Sequence, residues 1–293
     1  MIINVLSGKG GAGKSTVSAS LTALLAESGP VVAADCDVDT PNLGILFGMD
    51  KEDFEMSPVS TGSKAIVDPN KCTGCGKCKD ICVFSAIDFS EGKPTIDKYA
   101  CEGCGACQLI CPEGAIELKR VQNGWVGIGS KGKIGVATGL LRIGQAGSGD
   151  IVTLVKEKAT ELQSKLEAEH IVLDSAAGIG CPVIASVKGS DYAVAVTEPT
   201  PSAFSDLLRA IEVLDYFKVP YGIVVNKSTL NPDFSQEVRK FAQEKGIEIL
   251  AEIPYEISFV ESAVEMRPVV EHSPQFRPLF EQILEKALSS SKS

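Results

Sequence analysis

Short, unbroken apolar runs alternate along most of the chain with stretches whose apolar residues recur at helical spacing. The runs at 1–6, 31–34, 170–173, 191–197, 221–225 and 247–253 read as buried strands. Between them, 16–27, 151–168, 202–217 and 232–245 carry the helical period, with Gly29-Pro30 and Gly246 as stops. Strands that are apolar throughout, alternating with helices, imply a parallel sheet covered on both faces. The pattern therefore predicts an α/β fold with a doubly wound, mainly parallel sheet. Residues 41–48 read as a helical turn closed by Gly48. Alternation over 123–141 predicts a hairpin, 124–128 against 134–138. Residues 144–150 read as a loop. Short helices close the chain, the last over 276–288, with 289–293 as a tail.

The pattern breaks near Ser57. From 57 to 120 the chain is rich in Cys and Gly, and it repeats itself. Cys72, Cys75, Cys78 and Cys82 return 29 positions later as Cys101, Cys104, Cys107 and Cys111, and Ala86-Ile87 returns as Ala115-Ile116. This divides the chain into a discontinuous α/β domain, 1–56 with 121–293, and a duplicated insert, 57–120.

Composition narrows the chemistry. A net charge of −10 argues against nucleic acid and anionic membrane surfaces as main partners. No apolar run approaches the ~18 residues of a membrane span. The N-terminus enters a strand directly, so no signal peptide is expected and the expected location is cytoplasmic. There, ten cysteines point to metal ligation rather than a disulfide framework.

The first strand leads into Gly8-Lys9-Gly10-Gly11-Ala12-Gly13-Lys14-Ser15-Thr16, which fits G-x-x-x-x-G-K-[ST]. Strand, glycine loop and helix together cradle phosphates with backbone N–H groups. Lys14 is expected at the β/γ-phosphates, and the Ser15 hydroxyl on Mg²⁺. The second strand delivers Asp35, Asp37 and Asp39 at its C-terminal end, where doubly wound proteins bind ligands; metal, water or phosphate chemistry and a solvated acidic turn are both open readings. Asp174 ends another strand and is a candidate to orient Mg²⁺ or its water, with a helix N-cap as the alternative. Gly178 would let a backbone N–H approach the γ-phosphate.

Lys9 is a second lysine that the general motif does not require. With it, residues 9–15 resemble the deviant phosphate-loop ATPases of the MinD/ParA/Mrp/nitrogenase-reductase class. That resemblance implies ATP as the nucleotide, a homodimer that sandwiches it, and Lys9 acting in trans on the partner's phosphates. It implies that Asp37 positions the attacking water, that Asp35 lies near Mg²⁺, and that 174–178 is a switch segment. It also implies Asn226 and Pro254 at the adenine. Thr229 replaces the aspartate with which N-K-x-D would read guanine.

The two runs C-x₂-C-x₂-C-x₃-C, the second followed by Pro112, match the bacterial two-cluster ferredoxin signature. The resemblance implies a small α+β ferredoxin-like domain with two [4Fe–4S] clusters. One would be held by Cys72, Cys75, Cys78 and Cys111, the other by Cys82, Cys101, Cys104 and Cys107. Glycines 74, 76, 103 and 105 would let backbone amides approach the cluster sulfurs. Four-cysteine zinc sites are the alternative, although zinc knuckles seldom use three cysteines in this spacing. Val83 departs from the pattern where the repeat has Pro112. Cys36 and Cys181 read as packed, buried thiols. The C-terminal helix lacks a basic polar face and is expected to dock on the domain.

Together these features resemble MinD-superfamily ATPases with an inserted ferredoxin domain. They imply ATP-coupled electron transfer to a redox or cofactor-assembly partner. Delivery of clusters to client enzymes and redox-sensing regulation are the alternatives.

Overall fold

A computed structural model describes residues 1–290 except 91 and 146. Residue 146 of the expected 144–150 loop, and 291–293 of the expected tail, lie outside the described residues. The strands are β1 (Ile2–Ser7), β2 (Val31–Asp35), β3 (Phe54–Val59), β4 (Gly62–Val67), β5 (Ile87–Ser90), β6 (Lys93–Ile96), β7 (Ile116–Val121), β8 (Gly124–Lys131), β9 (Ile134–Leu141), β10 (His170–Ala177), β11 (Tyr192–Thr197), β12 (Tyr221–Val225) and β13 (Ile249–Glu252). The helices are α1 (Lys14–Ser28), α2 (Lys77–Ile81), α3 (Ala106–Ile110), α4 (Ser148–Leu166), α5 (Cys181–Val187), α6 (Pro201–Phe217), α7 (Pro232–Lys245), α8 (Ser258–Val264), α9 (Val269–His272) and α10 (Arg277–Ser290).

Two compact units divide the chain: Met1–Met56 with Val126–Leu140 and Ser148–Ser293, and Ser57–Trp125 with Leu141–Gly147. The first is built on a nine-stranded sheet in the order β13-β12-β11-β1-β10-β2-β9-β8-β3. From β13 to β9 each neighbouring pair is parallel. The expected hairpin is longer than its pattern suggested, and its second strand joins the main sheet: Val31 faces Ile134 and Asp35 faces Thr138.

Successive side chains of a strand point to opposite faces, and the sheet fills two cores this way. Ile3, Val5, Val194, Val196 and Val224 face one side and meet Val17 and Leu21 of α1 and Phe280 and Ile283 of α10. Leu6, Ala193, Ala195, Ile223 and Val225 face the other and meet Leu207 and Leu214 of α6 and Val238 of α7. Helix α1 is buried continuously from Val17 to Leu25. Its buried Ser20 and Thr22 hydroxyls donate to carbonyls four residues back, and that of Ser18 is shared between the Lys14 carbonyl and Asp174 Oδ1, so no hydroxyl there is stranded. Helix α10 docks as expected, but it continues through Ser290, so Ser289 and Ser290 are helical rather than tail. Arg277 anchors it with paired 2.6 Å bonds to Glu27 of α1.

The second unit contains two antiparallel strand pairs, β4 with β7 and β5 with β6, and the five-residue helices α2 and α3. Its core is Ala65, Cys78, Ala86, Ile87, Cys101, Cys107 and Ile116. The boundary read from the pattern was 120, whereas the unit runs to Trp125 and takes in 141–147. Asn123 is the reason. Its N–H donates to the Val59 carbonyl at 3.1 Å, its Oδ1 accepts the Thr61 N–H at 2.9 Å, and its carbonyl accepts the Arg142 N–H at 2.8 Å.

Candidate functional sites

In the first unit, β1, β10 and β2 lie side by side, with Val5 opposite Asp174 and Asp174 opposite Asp35. The glycine loop leaves the end of β1 and α1 begins at Lys14. Gly8 and Gly13 are required by close approach. A Cβ on Gly8 would fall 2.2 Å from the Asp206 backbone, and one on Gly13, at φ +96°, would fall 2.1 Å from Asn226 Nδ2. That amide donates to the Ala12 carbonyl at 2.8 Å, so Asn226 braces the loop.

Lys14 Nζ lies 3.7 Å from Asp174 Oδ1, which also accepts the Ser18 hydroxyl at 2.9 Å. Burial raises the Asp174 carboxyl above its usual range, against the pull of Lys14, Ser15 and Ser18. Its Oδ2 is buried without a hydrogen-bond partner. An orphaned carboxylate oxygen beside the Ser15 side chain is the donor set a hard divalent cation takes, so these residues fit Mg²⁺.

Asp35, expected near Mg²⁺, has both oxygens committed to backbone. Oδ1 accepts the Asp37 N–H at 3.1 Å, and Oδ2 accepts the Asn42 and Leu43 N–H groups at 2.8 Å each. It ties the loop after β2 into shape. Burial, then the neighbouring Asp174, push its carboxyl up to about 7, while the three N–H bonds oppose that shift. Asp37 is half-buried and accepts the Thr40 hydroxyl at 3.3 Å. Gly178, whose N–H was expected to face a phosphate, instead donates it to the Ser7 carbonyl at 3.0 Å.

Lys9 has a partner that the sequence did not disclose: its Nζ lies 2.6 Å from Glu198 Oε1, at the end of β11. Lys227 Nζ meets Glu198 Oε2 at 3.0 Å and the Gly11 carbonyl at 2.9 Å. Burial would raise the Glu198 carboxyl, but the two ammonium groups outweigh it and hold it below the usual range. Asn226 and Pro254 are brought near one another in the fold. Ser228 N–H donates to the Ile253 carbonyl at 2.9 Å, and Tyr255 N–H donates to Thr229 Oγ1 at 2.9 Å. Thr229 thus has a structural task where a guanine-reading aspartate would stand.

The eight cysteines of the second unit ring two separate hollows. Cys72, Cys75, Cys78 and Cys111 line one. Cys82, Cys101, Cys104 and Cys107 line the other. Each ring takes three cysteines from one repeat and the fourth from the other. Three cysteines from one repeat with a fourth from the other, set around a hollow, suit a multinuclear cluster. Backbone amides also reach the sulfurs: Ala86 N–H donates to Cys82 Sγ at 3.4 Å and Ala115 N–H to Cys111 Sγ at 3.3 Å. The four glycines flanking the cysteines take positive φ, but these two amide bonds come from alanines. The donor set, the hollows and the amide bonds fit two iron–sulfur clusters.

The remaining cysteines differ from each other. Cys36 is fully buried, and burial raises its thiol pKa. Cys181, expected to be buried, is exposed at the first turn of α5. The helix begins at Cys181 itself, at the surface, with Pro182 in its first turn, which leaves the thiol outside the core.

Residues 3–269 match the family described as the CobQ/CobB/MinD/ParA nucleotide binding domain. An uncharacterized protein of Methanocaldococcus jannaschii is 42% identical over 79% of this chain and 79% of its own length. An iron-sulfur cluster carrier protein of Pyrococcus horikoshii is 26% identical over 99% of this chain and 86% of its own. The cell division ATPase MinD of Pyrococcus furiosus superposes with a TM-score of 0.57 at 20% identity, covering 98% of both chains. MinD of P. horikoshii, complexed with Mg-ADP, gives 0.57 at 19% identity, covering 100% of this chain and 98% of its own. Among the described residues no helix is long and apolar enough to cross a membrane.

Proposed function

The chain belongs to the CobQ/CobB/MinD/ParA nucleotide-binding family, and from that premise we propose that it is a dimeric, Mg²⁺-dependent ATPase that couples its nucleotide cycle to electron transfer from two resident [4Fe–4S] clusters. The observation that carries the cluster half is the pair of four-cysteine rings, each closed by a cysteine from the opposite repeat. A cluster held between two repeats cannot leave without opening both, which favours electron transfer over delivery.

At the nucleotide, Lys14 contacts the β- and γ-phosphates. Ser15 and Asp174 hold Mg²⁺, whose charge neutralises phosphate oxygens. Asp37 orients the attacking water, and Asp35 holds the loop that presents it. Asn226 and Pro254 flank the adenine. Lys9 exchanges Glu198 for the phosphates of the partner copy, so the site is complete only in the dimer. In the chain, the insert lies between Asp37 and Asp174.

Coupling requires that nucleotide bind the reduced and oxidised protein with different affinity. The test is anaerobic. Lys14→Ala should abolish phosphate release while iron and sulfide content stay at the wild-type level. Cluster potentials should differ with and without Mg–ATP; identical potentials sink the coupling. The P. horikoshii relative's name, iron-sulfur cluster carrier protein, favours a second reading in which clusters are handed on. ATP-accelerated transfer of ⁵⁵Fe to an apo-ferredoxin would support that one instead.

A further inference from the structure

The duplication extends beyond the cysteines, and the two halves hold each other. Lys64 and Lys93 stand 29 positions apart, as Cys72 and Cys101 do. Lys64 Nζ donates to the carbonyl of Cys101 at 2.6 Å, and Lys93 Nζ donates to the carbonyl of Cys72 at 2.6 Å. Each lysine therefore grips the first cysteine of the opposite repeat.

Two differences break this symmetry, both on the same side. Lys64 is buried, 8% exposed, whereas Lys93 is exposed. The next residue differs as well. Ala65 N–H donates to Cys101 Sγ at 3.5 Å, but its counterpart in the repeat is Pro94, which has no N–H to give Cys72. The bonds from Ala86 and Ala115 are matched and cancel.

We propose that Lys64 and Ala65 are positioning residues that make the Cys82/Cys101/Cys104/Cys107 site the higher in potential of the two, so that the first electron rests there. The inference depends on the cluster reading above. Reduction adds negative charge that resides largely on the sulfurs. An N–H bond to sulfur and a nearby cation favour that state and raise the potential. A desolvated ammonium acts strongly, whereas the exposed Lys93 is screened by water and salt. The charged residues lining the hollows do not reverse this. Lys77 and Glu113 offset each other at the first hollow, and Glu102 at the second is exposed.

The experiment is a redox titration of the anaerobically purified full chain, followed by EPR. The wild type should reduce in two waves, the upper favoured at least about tenfold, or ~59 mV for a one-electron couple. Lys64→Gln should lower the upper wave alone, and Lys64→Arg should restore it. Pro94→Ala, which adds an N–H and need not disturb Lys64, should raise the lower wave alone. A single wave in the wild type overturns the proposal, as does Pro94→Ala leaving the lower wave in place. Iron and sulfide analysis separates the two levels. A chain without bound iron refutes the cluster reading and this inference with it. A full complement with equal potentials refutes only the inference.

Discussion

On the dimeric ATPase reading proposed above, replacing Glu198 by Gln should strengthen the ATP-dependent dimer. Glu198 holds Lys9 at 2.6 Å within its own chain. If Lys9 serves the partner's nucleotide, that ion pair must break in each protomer on assembly. A hydrogen bond between charged groups is worth about 1.5–3 kcal/mol net. Because the Lys9 side chain is 32% exposed, water competes for it, and a value of about 1–1.5 kcal/mol is appropriate. Glutamine keeps the shape and an acceptor for Lys227 while removing the charge. Two symmetric contacts then contribute roughly 2–3 kcal/mol, which is a roughly 30- to 140-fold tighter dimer at about 1.4 kcal/mol per tenfold. Sedimentation equilibrium with ATP, in an Asp37→Ala background that slows hydrolysis, measures it. An unchanged or weaker dimer refutes the reasoning. So does an equal gain in a Lys9→Ala background, because the effect must pass through Lys9.

Stability without nucleotide should fall as pH rises from about 4 to about 7. The Asp35 carboxyl is raised to about 7 in the fold, against ~3.9 in the unfolded chain. Between those values the folded state binds more protons than the unfolded state, so unfolding free energy decreases with pH. Urea midpoints at pH 5 and 7 check this. Asp35→Asn should flatten the slope while lowering stability at both, since an amide nitrogen cannot accept the Asn42 and Leu43 N–H groups. Cys181 should be alkylated by iodoacetamide in the native protein, and Cys36 only after unfolding. Peptide mass mapping distinguishes them, and early modification of Cys36 would contradict its burial.

Much of this protein was legible in the chain because the relevant physics is local. The apolar runs marked the strands, since a strand buried on both faces carries apolar residues throughout. The phosphate loop was legible because its function resides in consecutive backbone N–H groups. The cysteine spacing was legible because one short loop and the first turn of the helix after it present three thiols. Where the reading missed, contacts between distant segments decided the outcome. The insert boundary moved to Trp125 because Asn123 is tied to Val59 and Thr61. Cys181 lies at the surface because α5 starts there. Gly178's N–H went to Ser7, a pairing set by how β1 and β10 meet.

The sequence by itself determined the fold class, the nucleotide loop and the candidate cysteine ligands, since each depends on residue type and close spacing. Only the tertiary structure decided what those groups face. It set Glu198 against Lys9 across 189 positions of chain, committed both Asp35 oxygens to a backbone loop, and left Asp174 Oδ2 unpaired. It also placed Ala65 on the Cys101 sulfur, where the repeat offers Pro94. Spacing can say that a carboxylate or thiolate is available. The packing of remote strands sets its partners and its exposure, and those set its charge state and its chemistry.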